Sequence, residues 1–258
     1  MRVRTLERLM PWLVIAASFA IWELVCVVFN IQEFVLPRPS AVVASIVRRA
    51  DVLAWHAMHT FYTTMLGFVL AVVGGVLLGA LVGSSRLLYT GLYPLLIGFN
   101  SIPKVAVVPV LVIWFGIGVV PAVITAFLVS FFPVTVNVAT GLATLEPELE
   151  DVLRALGASK RDILVKVGIP RSLPYLFASL KVAITLAFIG SVISETVASN
   201  EGIGYLILAA SARFDVPLVF AALTVIAVMG IVMYGLFALV ERRTTGWATR
   251  KMDFPMGG

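Results

Sequence analysis

Four ionisable side chains stand inside otherwise apolar runs of this chain: Glu23, Lys104, Lys181 and Glu195. A charge in such surroundings costs roughly 2.5–3.5 kcal/mol on insertion scales, so it marks a path for a polar solute, a gate or a buried structural contact. Lys104 sits between Pro103 and Pro109 in "SIPKVAVVP". Prolines leave backbone carbonyls unpaired, which suits a wall facing protein or water, and an ammonium there would favour an anionic solute. The aromatic pair Trp114–Phe115 and the amide of Asn137 join Lys104 and Glu195 as candidates for lining or gating a path. Lys181 and Glu195 lie on one helix face but are separated by about 21 Å along the axis, too far to pair. Glu23 follows Trp22 and is expected to meet a neighbouring helix or an interface.

Other chemistry is scarce. His56 and His59 fall on one helix face, but two ligands without a third make interfacial polar residues a better reading than a metal site. The single cysteine, Cys26, excludes an internal disulfide and a cysteine metal cluster. No nucleophile stands with a base and no histidine clusters with carboxylates along the chain, so catalysis is not expected. The glycine pairs Gly116–Gly118 and Gly202–Gly204 lack the lysine of a phosphate loop, so the chain is expected to bind no ATP and no cofactor of its own.

The densest charge lies in "EDVLRALGASKRDILVKVGIP". Residues 144–174 hold Glu146, Glu148, Glu150, Asp151 and Asp162 against Arg154, Lys160, Arg161, Lys166 and Arg171, a neutral balance. Leu149, Val152, Leu153 and Leu156 repeat at helical spacing and Gly157 suits a helix stop. Ser159 can cap a second helix over about residues 160–168, with Asp162 reaching back, before Pro170 and Pro174 break the chain. The predicted object is helix, turn, helix, standing off the membrane; it is either a re-entry loop or a docking element.

The elements that must position these groups follow from composition. Of 258 residues, 60% are hydrophobic and 13% charged, with mean hydropathy +1.05, which makes this an all-α integral membrane protein in one domain. Six runs approach the roughly 20 residues a spanning helix needs: about residues 11–29, 61–82, 94–116, 121–143, 175–197 and 216–240. The first is too long for a signal peptide and is expected to be retained. The net charge of +5 does not imply nucleic acid, because the basic residues flank the spans. With both termini cytoplasmic, thirteen Lys/Arg fall inside and four outside (Arg38, Arg48, Arg49, Arg213), which supports that orientation.

An outer segment, about residues 36–60, is expected to form an amphipathic helix on the membrane surface, with Ser40 as its cap and Val43, Val47, Ala50 and Leu53 as its apolar stripe. Ala71, Gly75, Gly79 and Gly83 form a small-residue strip for close helix packing, within the subunit or against a partner.

The loop resembles that of ABC-importer permeases, whose motif runs Glu-Ala-Ala, three residues, Gly, nine residues, Ile-x-Leu-Pro. Asp151-Val152-Leu153 stands for Glu-Ala-Ala, Gly157 and Pro170 match, and Val167-Gly168-Ile169 fills Ile-x-Leu. "FVLPRPS", "IPKVAVVPVLVIWFGIG", "FFPVTVN" and "SETVASNEGIGYLI" resemble, in order and spacing, the permeases for nitrate, aliphatic sulfonates, taurine and thiamine-precursor pyrimidines. The resemblance implies a type I ABC importer permease with six spans in the bacterial inner membrane, paired with a second copy. It further implies two ATP-binding subunits that hold ATP and Mg, and a periplasmic or lipid-anchored binding protein. Asp151, Arg154, Gly157, Ala158 and Pro170 would then be the coupling residues, and Glu195 would hold the outer gate or loop. The rival from another class, an ion-driven secondary transporter or channel, would rely on intramembrane acids, of which there are only Glu23 and Glu195.

Overall fold

The computed structural model describes residues 2–143 and 152–249, and among them every regular element is helical. The elements are α1 (Arg2–Val28), α2 (Pro39–Arg48), α3 (Ala50–Gly83), α4 (Arg86–Asn100), a 3-10 turn (Lys104–Val107), α5 (Val108–Phe115) and α6 (Val119–Ala143). There follow α7 (Lys160–Ile163), a π-helical stretch (Leu164–Gly168), α8 (Ile169–Ala198), α9 (Ile203–Ala212) and α10 (Val216–Thr249). Five helices are long and apolar enough to cross a membrane, and six spans result when α4 and α5 with its 3-10 turn are taken as one bent pair.

The bend is 73° and falls at residues 101–103, where the expected third span is broken. Pro103 supplies the physical reason: its fixed φ and missing N–H end the helical ladder ahead of Lys104. Pro94 by contrast lies inside α4 without stopping it.

The centre of the bundle is α3 against α6 and α6 against α8. The small-residue strip of α3 faces α6: a Cβ on Gly79 would lie 2.7 Å from the Thr135 carbonyl, and one on Gly75 2.9 Å from the Val134 Cβ. The strip therefore packs within the subunit. Between apolar helices in lipid, this close van der Waals contact is what holds the pair, because the tails outside are as apolar as the core. Phe68, Ala126, Val134, Ile184, Ala187, Phe188 and Met233 fill that core. A second cluster, Val42, Leu53, Ile203, Leu206, Leu218 and Ala221, packs α2 and α9 against α3 and α10.

Several local expectations are corrected. The outer segment is not one surface helix: α2 ends at Arg48, and residues 50–60 are the first turns of the long α3. Arg38, not Ser40, occupies the N-cap of α2, because Pro39 takes the first helical position, where its missing N–H costs nothing. Within α2, Val42 and Ser45 are buried against the bundle while Val43 and Val47 lie on its outer, exposed face; Leu53 packs in the second cluster. Finally, Pro170 and Pro174 do not break the chain. Helix α8 begins at Ile169 with Pro170 in its first turn and Pro174 inside it, and the preceding residues 164–168 wind as a π-helix rather than as an α-helix to 168. The short α9 lies in the "NEGIGYLI" stretch, where no separate helix was expected.

Candidate functional site

Two polar constructions stand out, at opposite ends of the bundle. At the end that carries α2, α9 begins without any cap from its own neighbours. The first N–H groups of a helix have no partner within it and must find one elsewhere. Here three successive donors are met by side chains of other helices: Gly202 N–H by His56 Nδ1 at 3.1 Å, Ile203 N–H by Thr60 Oγ1 at 2.8 Å, and Gly204 N–H by Glu195 Oε2 at 3.2 Å. Glu195 is fully buried and also accepts from Thr60 Oγ1 at 2.8 Å and Thr63 Oγ1 at 3.2 Å, with Ser191 Oγ at 3.5 Å. Its carboxyl faces the positive end of α9.

The glycines make this fit possible. Gly202 has φ +100, and a Cβ there would sit 2.2 Å from the Glu195 carboxyl carbon; a Cβ on Gly204 would sit 2.3 Å from the Val192 carbonyl. His59 lies across the rim, its Nδ1 3.7 Å from Glu195 Oε1 and its Nε2 3.3 Å from Glu201 Oε2. Sequence reasoning singled out Glu195, Gly202–Gly204 and the histidine pair but not their union, nor Thr60, Thr63 and Ser191. The available signal was a polar stripe, His56, His59, Thr60 and Thr63, on one face of an apolar helix, together with Ser191 and Glu195 at i, i+4. Among the described residues no group of three or more metal-ligating side chains forms.

At the opposite end, residues 152–155 make a helical turn that stops at Gly157 with φ +86. Ala158 N–H donates to the Leu153 carbonyl at 3.0 Å and Gly157 N–H to that of Arg154 at 2.9 Å, the paired bonds of a Schellman stop. Ser159 then caps α7, its Oγ accepting the Asp162 N–H at 3.1 Å, while its hydroxyl donates to the Asp162 carboxylate. Lys166 Nζ lies 2.7 Å from that carboxylate. Hydrogen bonding from Lys166 and Ser159 pulls the Asp162 carboxyl down to about 2. Space beside Gly157 is open, and Val152 and Leu156 are exposed, so a helix-turn-helix is displayed with apolar side chains uncovered. Asp151 lies outside the described residues. Arg154 and Ala158 flank the turn, and Pro170 is the second residue of α8, which follows the π-helical stretch directly.

The remaining candidates are held separately by their own neighbours. Lys104 Nζ folds back on α4, donating to the Asn100 carbonyl and to Asn100 Oδ1 (3.0 Å), and lies 5.1 Å from the Phe132 ring centroid. Its cation thus covers the negative end of α4. Asn137 Nδ2 donates to the Pro133 carbonyl at 2.8 Å. Trp114 is 69% exposed and stands edge-on to Phe115. Glu23, in α1, accepts from Ser40 N–H (3.0 Å) and Oγ (2.7 Å), so the neighbour it meets is α2. Lys181 pairs with Glu241 of α10 at 2.6 Å.

A bundle of long apolar helices, broken once at a charged turn and carrying a folded, uncovered loop at one end, defines a polytopic membrane protein. The chain belongs to the family of binding-protein-dependent transport system inner membrane components, whose model matches residues 71–246. It is 32% identical over 234 residues to a probable ABC transporter permease protein of Haemophilus influenzae, covering 91% of this chain and 94% of that one. It is 30% identical over 249 residues to the formylaminopyrimidine transport permease protein ThiX of Halalkalibacterium halodurans, covering 96% and 99%. Its fold is similar to that of a chain of the inward-facing MetNI methionine ABC transporter, with TM-score 0.59, 19% identity, and coverage of 76% of this chain and 95% of that one. Like these relatives it is a permease subunit and not the ATPase, which is a separate subunit of such systems.

Proposed function

We propose that this ABC importer permease subunit pairs with a second copy of itself and carries a small organic or inorganic anion or zwitterion inward, the class of sulfonates, taurine, nitrate and thiamine-precursor pyrimidines. The formylaminopyrimidine relative supports the last of these. Substrate arrives on a periplasmic or lipid-anchored binding protein at the α2 end, and two ATP-binding subunits, holding ATP and Mg, dock at residues 144–174. Both termini are then cytoplasmic and the membrane is the bacterial inner membrane.

The observation that carries this reading is the loop at Gly157. A helix stop, a capped helix and a π-helical stretch lead into α8 without interruption, so a push on the loop is delivered to a span. Asp151, Arg154, Gly157, Ala158 and Pro170 are the coupling residues in this reading, and Glu195 holds the outer turn to which α9 is fixed. Lys104, Trp114 and Asn137 remain path candidates, with Lys104 presenting its charge from the break in the third span.

The test replaces Gly157 by Trp and by Asn in a reconstituted complex. Asn tolerates the left-handed conformation that φ +86 requires, whereas Trp does not and also fills the open face. Uptake lost with Trp and kept with Asn, both variants being present in the membrane, is the expected result; normal uptake with Trp would defeat the coupling role.

A further inference from the structure

Lys181 and Glu241 form an ion pair at 2.6 Å between α8 and α10, both side chains lying in apolar spans and only about one-fifth exposed. A bundle gains little stability from such a pair: withdrawing two charges from water is costly, and well-packed apolar side chains of similar size hold helices as well or better. What an ion pair adds is register, because an ammonium and a carboxylate fix one relative position of two helices where smooth apolar faces allow sliding.

Its place in the chain gives that register a use. Lys181 lies twelve residues beyond Ile169, about 18 Å along α8 from the end that receives the π-helical stretch and the Gly157 loop. Glu241 lies near the far end of α10, a helix whose sequence neighbours at its start are Asp215 and α9. Elsewhere α10 meets the core through apolar contacts, such as Phe237 edge-on to Phe68 with ring centroids 4.9 Å apart. We propose that Lys181 and Glu241 are positioning residues for transport: they bind α10 to α8, so that displacement of the loop moves both helices together and the α9 turn at the opposite end moves with them.

This inference rests on the coupling role of the loop, and the experiment separates the two. Reconstituted complexes are compared for solute taken up per ATP hydrolysed, with Gly157→Trp as the reference for a broken loop. Four variants are scored against it: Lys181→Met, Lys181→Arg, the reversed pair Lys181→Glu with Glu241→Lys, and the neutral pair Lys181→Met with Glu241→Gln. The neutral pair removes both charges of the bridge together, so a purely structural bridge predicts its recovery to native transport. A positioning link predicts instead a well-inserted protein whose uptake per ATP stays down by about fivefold or more, the lower range of coupling between distant sites. The reversed pair and Lys181→Arg should approach native coupling.

Native uptake per ATP in the neutral pair, or a reversed pair no better than Lys181→Met, would overturn the proposal. Should Gly157→Trp also leave uptake per ATP unchanged, the coupling role of the loop fails with it. A Gly157→Trp variant that uncouples while the neutral pair does not would remove the ion-pair link alone.

Discussion

At the scale of single residues, Glu195 is the most tightly held group in the bundle. Its carboxyl organises Thr60, Thr63 and the Gly204 N–H; removing it leaves the Gly204 N–H buried without an acceptor, at about 1–3 kcal/mol, while the two hydroxyls fall back on carbonyls of their own helix. Glu195→Ala is therefore expected to lower the thermal unfolding midpoint in lipid more than Glu195→Gln, which keeps the shape and one acceptor oxygen; equal midpoints would contradict the cap. Gly204→Ala should act like Glu195→Ala, because its Cβ would meet the Val192 carbonyl backbone, which has little freedom to yield. Asp162 offers a test at the other end. Its carboxyl is held at about 2, so the stabilisation it provides is complete above the ordinary carboxylate range near pH 4 and is lost as pH falls toward 2. A spin label at Leu156 should thus keep its mobility between neutral pH and about pH 5 and gain mobility only below about pH 3.

At the scale of elements, the α3–α6 contact governs whether the bundle forms. Gly79→Leu would drive a side chain into the Thr135 carbonyl and Val138, and overpacking of this kind costs about 1–3 kcal/mol. A lower unfolding midpoint and reduced yield in the membrane are expected, while Gly98→Leu, on α4 with open space around it, should leave both unchanged. Much of this element order was legible in the sequence. Long apolar runs, a four-residue small strip and a glycine stop each follow from one local rule, and the strip, the stop and the Ser159 cap stand where those rules put them. What escaped was decided by tertiary partners. Which valine of α2 turns inward is chosen by the packing of α10, since both faces of the helix carry valines. The prolines at 170 and 174 were read as breaks, but Pro170 falls in the first turn of α8, where its missing N–H costs nothing, and Pro174 is carried inside the helix. The cap of α9 unites residues 56, 60, 195 and 204, and the Lys181–Glu241 pair spans sixty positions; neither separation carries a sequence period.

At the scale of the whole molecule, two ends of one helix connect the two polar constructions. Helix α8 starts from the π-helical stretch beside the displayed loop and carries Glu195 in its last turn, beneath the turn that opens α9. A bundle packed this closely shifts between discrete arrangements rather than deforming smoothly, so motion at the loop is expected to be felt at the far turn. In the proposed function, the Gly157 loop passes the state of an ATPase to the spans. The most direct measurement is ATP hydrolysis by the complete complex in lipid, with and without its loaded binding protein, in native chain and in Gly157→Trp. Stimulation by the binding protein that is present in the native complex and absent in the variant is the predicted result; stimulation of equal size in both would contradict it.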